Sequence, residues 1–93
     1  MLTPNQVRAR NTISTHTIAY GSLLNMVERA DTAIEQCDSG IALANKRIDG
    51  VYAAIDAGAI SSDLAQRRYD DYTKRIGQLQ QRRVDLINAK GQL

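Results

Sequence analysis

Ile13, Tyr20, Val27, Ile34, Ile41, Ile48 and Ile55 follow one another at intervals of seven without a miss. Three residues after each comes His16, Leu23, Ala30, Cys37, Ala44, Val51 or Gly58, mostly small or apolar. Large and small apolar residues alternating at spacings of three and four form the seam of a coiled coil, because only that rhythm keeps one stripe of a helix facing a neighbour. The positions beside the seam are largely polar, so the stripe is narrow and suited to meeting another helix. The pattern predicts an all-α chain, built as a long antiparallel coiled-coil hairpin with an N-terminal helical arm or third helix.

Local signals set the ends of the helices. Thr3-Pro4-Asn5-Gln6 is a start: Thr3 caps, Pro4 suits the first helical position, and Gln6 completes a capping box. Thr12-Ile13-Ser14-Thr15-His16-Thr17 is a weak patch, since β-branched and hydroxyl side chains lower helix propensity, and Gly21-Ser22 is a second one. From Leu23 to Ala57 the helical pattern is strong. Gly58 supplies a left-handed stop, and Ala59-Ile60 make a short link. One of Ser61, Ser62 and Asp63 caps the next helix, with Asp63 and Gln66 as a second possible box, and that helix runs from about Asp63 to Gly91. The expected division is therefore a single domain with an arm over 1–22, a long helix over 23–57, a turn over 58–62 and a second helix over 63–91.

The second helix carries its own beat in Ala65, Tyr72, Leu79, Leu86 and Leu93, with Tyr69 and Ile76 filling the three-residue offsets. Folding the chain about residue 60 sets Val51 opposite Tyr69, Ile48 opposite Tyr72, Ile41 opposite Leu79 and Ile34 opposite Leu86. Small residues then face large ones in several layers, as close packing requires. Charge agrees with this register. Residues 28–56 hold six acids and three bases, and residues 67–90 hold seven bases and three acids. Arg82 and Arg83 are expected near Glu35 and Asp38, and Lys90 near Glu28 and Asp31. Such exposed pairs contribute about 0.2–1 kcal/mol each, yet they select orientation.

The pairing ends at Val27, leaving Leu2, Val7, Ile13, Ile18, Tyr20, Leu23, Leu24 and Met26 without a partner in the hairpin. A continuous first helix of about 50 residues would be roughly 75 Å long, with an apolar stripe too large to stay bare. Either the chain folds back near Gly21-Ser22 as a third helix, or other chains cover the arm. Oligomerisation is the common remedy for a small core, so the second alternative is preferred here. The predicted partner or oligomer contacts are Val7, Ile13, Tyr20, Leu23, Leu24 and Met26.

No residue set offers catalysis. His16 lacks Cys, His, Asp or Glu companions at helical spacing, as a metal site would need. Cys37 lies on the seam without an adjacent base and reads as a core thiol. Asp70 and Asp71 are sequence neighbours, so they splay apart on a helix and cannot form an acid/base dyad. Tyr52, Tyr69 and Tyr72 converge at the closed end, where they cap the core. There is no glycine-rich phosphate loop, and no enzyme, metal, cofactor or small-molecule substrate is expected. The alternative to a protein partner is nucleic acid. Arg68, Arg75 and Arg82 fall on one line along the second helix and could follow a phosphate backbone. Against this stand Asp70, Asp71 and Asp85, the acidic first helix alongside, and the lack of aromatics between the bases.

The segment from Asp56 to Leu64, followed by Arg67-Arg68-Tyr69, resembles a Gly-x-Ile-Ser/Thr turn of bacterial and phage helical hairpins, as in short oligomerisation domains and the coiled-coil arms of serine recombinases. What it implies is helix-cap chemistry at the turn. Secreted Trp-x-Gly hairpins and type III secretion needle subunits have similar lengths, but this chain has no Trp and its turn has no Pro.

A content of 43% hydrophobic and 24% charged residues is that of a folded protein, while a net charge of +2 demands neither nucleic acid nor an acidic membrane. One cysteine excludes an intrachain disulfide and fits a reducing setting. Neither a signal-peptide pattern nor an apolar run of about 18–20 residues is found, so the expected location is cytoplasmic or inside an assembled particle. The function expected is that of a non-enzymatic assembly protein. A small phage or bacterial accessory protein fits: a virion component, a chaperone, or an inhibitor of a larger machine.

Overall fold

The structure, a computed structural model, describes residues 2–16 and 23–93, without the side chains of Thr15, His16 and Leu23. All the regular structure among these residues is helical: α1 (Pro4–His16), α2 (Leu23–Asp56) and α3 (Ser62–Gly91). The molecule is a bar of 61 × 18 × 18 Å. Its length is set by α2, whose 34 residues alone span about 51 Å.

The helix ends follow local chemistry. Thr3 and Gln6 form the reciprocal capping box, with the Thr3 amide donating to Gln6 Oε1 at 3.0 Å and the Gln6 amide donating to Thr3 Oγ1 at 3.2 Å. At the end of α2, Gly58 takes a positive φ of 68°. Its amide reaches the Ile55 carbonyl, and the Ala59 amide reaches the Ala54 carbonyl, which together make a Schellman closure. Of the three candidate caps for α3, Ser61 is the one used, its hydroxyl accepting from the Leu64 amide at 3.2 Å. The alternative box is not made, because Gln66 turns forward and donates to Asp70. Asp63 in the first turn of α3 and Lys90 in the last suit the helix dipole.

α2 and α3 pack side by side along most of their lengths. Three contacts fix how. Arg83 Nε donates to Asp38 Oδ1 at 2.7 Å, Lys90 Nζ donates to Asp31 Oδ1, and the Tyr52 and Tyr69 rings meet edge-on with centroids 6.2 Å apart. The helices therefore run antiparallel, and each pair falls within one residue of the register expected from folding about residue 60. Their close approach depends on small residues. Ala30, Ala33, Cys37 and Ala44 of α2 are buried, and so are Ala65 and Ala89 of α3, against Leu79 and Leu86. At Gly40 the approach is close: a Cβ added there would lie 2.9 Å from Leu79 Cδ1.

α1 is a third helix folded onto this pair. Ala9 and Ile13 join Met26, Ala30, Leu86 and Ala89 in one core, and Gln6 Nε2 donates to the Leu93 carbonyl at 3.4 Å. α1 therefore sits where α2 begins and α3 ends, mainly against α3. This corrects the preferred expectation for the arm. Ile13 and Met26 are fully buried by the chain itself. Gly21-Ser22, the expected site of the fold-back, and Tyr20 lie outside the described residues.

Two glycines separate helix propensity from packing. Gly77 lies inside α3 with open space around an added Cβ, so Gly77→Ala is expected to stabilise the protein by about 0.5–1 kcal/mol. Gly40→Ala gains the same propensity but pushes on the buried Leu79, an overpacking cost of about 1–3 kcal/mol. Urea unfolding should place Gly40→Ala at least about 1 kcal/mol below Gly77→Ala, and equal gains would contradict the close approach.

Candidate interaction surface

The bar has two unlike ends. Near the start of α2, three helices surround a core whose largest fully buried side chains are Ile13, Met26 and Leu86. Toward the Gly58 turn only α2 and α3 remain. Two helices cannot enclose a core, so large apolar side chains stay in solvent there. Leu43 is 49% exposed, Tyr52 54%, Ile55 42% and Tyr69 37%. Ile48 and Ile76 are half-buried beneath them.

These side chains lie on two faces. Leu43 and Tyr52 are nine residues apart, about two and a half turns, and so project from opposite sides of α2. One face carries the Tyr52–Tyr69 edge contact. The other is a groove between the helices of about 410 Å³. Leu43, Gly50, Val51 and Ala54 of α2 and Tyr72 of α3 line it. Lys46, Arg47 and Arg68 also line it, and all three are exposed. Among the described residues none of these three cations makes a salt bridge, whereas Arg83 and Lys90 do. A second groove, lined by Asn5, Arg8, Ala9, Thr12, Asp85 and Ala89 among others, follows the α1–α3 contact and mixes polar with apolar side chains.

The six predicted partner contacts are scattered by the fold. Ile13 and Met26 are inside the core, and Val7 and Leu24 are exposed, Leu24 at 67%. Tyr20 and the side chain of Leu23 lie outside the described residues. Of the alternative nucleic-acid residues, Arg68, Arg75 and Arg82 are all exposed on α3, and Arg68 lines the groove. The bare Tyr52 face and the groove were not singled out from the sequence. The available signals were Gly50 in the middle of an otherwise strong helix and Leu43 beside the Lys46-Arg47 pair at a position off the seam.

Chemistry is sparse. Cys37 is a free thiol buried in the core. Among the described residues no three of His, Cys, Asp or Glu gather as a metal group would. No helix there is long and apolar enough to cross a membrane. Compared with protein-family models, with curated proteins and with solved structures, the chain finds no match.

The docking of α1 has a modest energetic basis. Among its described side chains Ala9 and Ile13 are buried, and full burial of an isoleucine gives about 1.5–3 kcal/mol. Ser14 Oγ and Arg29 Nε are buried without a hydrogen-bond partner among the described residues, which offsets part of that gain. A 13-residue helix is marginal by itself. Ile13→Asp should therefore abolish hydrogen-exchange protection of the α1 amides, with a helicity loss no larger than α1 and no change of mass in solution. A fall in mass would mean that Ile13 had been packed against a second molecule.

Proposed function

We propose that this protein is a non-enzymatic assembly protein that self-associates by coiled-coil packing of the face bearing Tyr52, Ile55 and Tyr69. The observation that carries this reading is the bare apolar surface of the two-helix half, at the end that α1 does not reach. Three features of that surface support it. Tyr52 and Tyr69 meet edge-on with Ile55 one turn away on α2, so a facing helix finds a compact apolar patch beside the seam that α3 already covers. Tyrosines are enriched at the centres of protein interfaces, where the ring supplies buried area and the hydroxyl keeps a polar contact. A chain of this size has a thin core, and association adds burial that the monomer lacks.

A second copy is the natural partner for a self-complementary patch, since a two-fold axis brings the same residues together from both sides. Light scattering behind a sizing column, run over a wide concentration range, tests this. The parent chain is expected to have the mass of a dimer or larger assembly, and the double change Tyr52→Glu with Ile55→Glu to give monomer that keeps its helical circular dichroism. A parent chain that stays monomeric at every concentration would refute self-association.

A further inference from the structure

We propose that the groove between α2 and α3 binds an acidic amphipathic helix of a different protein. This rests on reading the chain as an interaction protein, but it concerns the face opposite Tyr52. Each part of the groove bears on the occupant.

The floor is apolar. Val51 is buried, Tyr72 half-buried and Leu43 half-exposed, with Ala54 between them. A floor of Leu43, Val51 and Ala54 with the single ring of Tyr72 suits leucine-like side chains, whereas a nucleic-acid strand would call for several aromatic platforms in succession. From Leu43 to Ala54 the floor runs about 16 Å, which matches three turns of a docked helix. The groove volume of about 410 Å³ holds a few side chains, not a whole folded element.

The rim is positive. Lys46, Arg47 and Arg68 surround the floor with no carboxylate partner, although the same two helices pair Arg83 with Asp38 and Lys90 with Asp31 further along. An occupant with Asp and Glu flanking its apolar stripe would complement all three cations. Such matching governs orientation and the rate of encounter.

Gly50 gives a further indication. A glycine in a helix interior costs about 1 kcal/mol relative to alanine, and nothing in the chain comes within 4 Å of a Cβ placed there. Gly40 is required by Leu79, but the fold makes no such demand at Gly50. Gly77 is equally open, so an open glycine is not itself a signature. Gly50 differs in lying on the floor of a groove, where a missing side chain lets another backbone come close.

The test is a selection with the full-length chain. A phage library of helix-biased peptides is panned against it, with the Gly50→Leu chain as counter-selection, and the enriched peptides are titrated by fluorescence anisotropy beside a single-stranded DNA 20-mer. Expected are peptides with apolar residues at i, i+3 or i+4, and i+7, flanked by Asp and Glu. Their affinity should drop about tenfold or more in Gly50→Leu and in the Lys46→Glu, Arg68→Glu double variant. Gly50→Leu should melt no lower than the parent, since it gains helix propensity, so its loss of binding is steric and not unfolding. Panning is repeated with the Tyr52→Glu, Ile55→Glu chain, so a failure of self-association leaves the groove fully tested. The proposal is overturned if no peptide is enriched, or if the enriched peptides are basic or indifferent to Gly50→Leu. DNA binding that Lys46→Glu and Arg68→Glu abolish but Gly50→Leu leaves intact would overturn it in favour of nucleic acid.

Discussion

The close approach of α2 and α3, with Leu79 seated over Gly40 and alanines lining the rest of the contact, is the constraint on which the other features depend. Helices held apart by large residues could bury more surface per turn, but they would not hold a thin bar together with a core in which half of the buried residues are alanine. Small residues bring the backbones near, and dispersion contacts between well-packed atoms then stand in for bulk. The Gly58 closure returns the chain at the right place, and the Asp38–Arg83 and Asp31–Lys90 pairs lie beside the seam as orientation markers. Being half-exposed, those pairs select the antiparallel register more than they stabilise it.

The same narrowness divides the molecule into a finished and an unfinished half. Where α1 lies on the pair, Ile13, Met26 and Leu86 lose all contact with water. Where it does not, comparable side chains remain half in solvent because two cylinders meet only along a line. Val7, Leu24, Val84 and Ile87 are exposed at the α1 end as well, so what sets the turn end apart is the clustering of Tyr52 against Tyr69 with Ile55 nearby. The Tyr52 face and the cationic groove flank this unfinished half, each with a different composition. The first is aromatic and apolar, and the second is apolar with a cationic rim.

The sequence made the helices and their pairing legible because both rest on short-range rules. Thr3, Gly58 and Ser61 declare their roles within four residues, and two seven-residue beats align once the turn between them is located. The fate of α1 was not legible. A heptad stripe states that a residue such as Ile13 will be covered, but periodicity is the same whether the covering helix belongs to the same chain or another. The decision rests on contacts across the whole chain, from Ala9 and Ile13 to Leu86 and Ala89, and no local pattern encodes them. The groove escaped for a related reason. Leu43 and Gly50 fall off the seam, where an isolated leucine and an isolated glycine carry little information until a third residue, Tyr72, is brought beside them from α3.

That long reach has a consequence for the order in which the molecule is made. α1 is synthesised before the residues that cover it, since Leu86 and Ala89 lie more than 70 residues further along the chain than Ile13. At ribosomal speeds of about 5–20 residues per second, Ile13 waits roughly 4–15 s for its place. During that interval a short helix too weak to stand alone has no home, while α2 and α3, joined by a tight turn, close on each other from the Gly58 end within a small fraction of that time. The nascent chain thus passes through a state in which α1 is bare, and the last turns of α3 end that exposure.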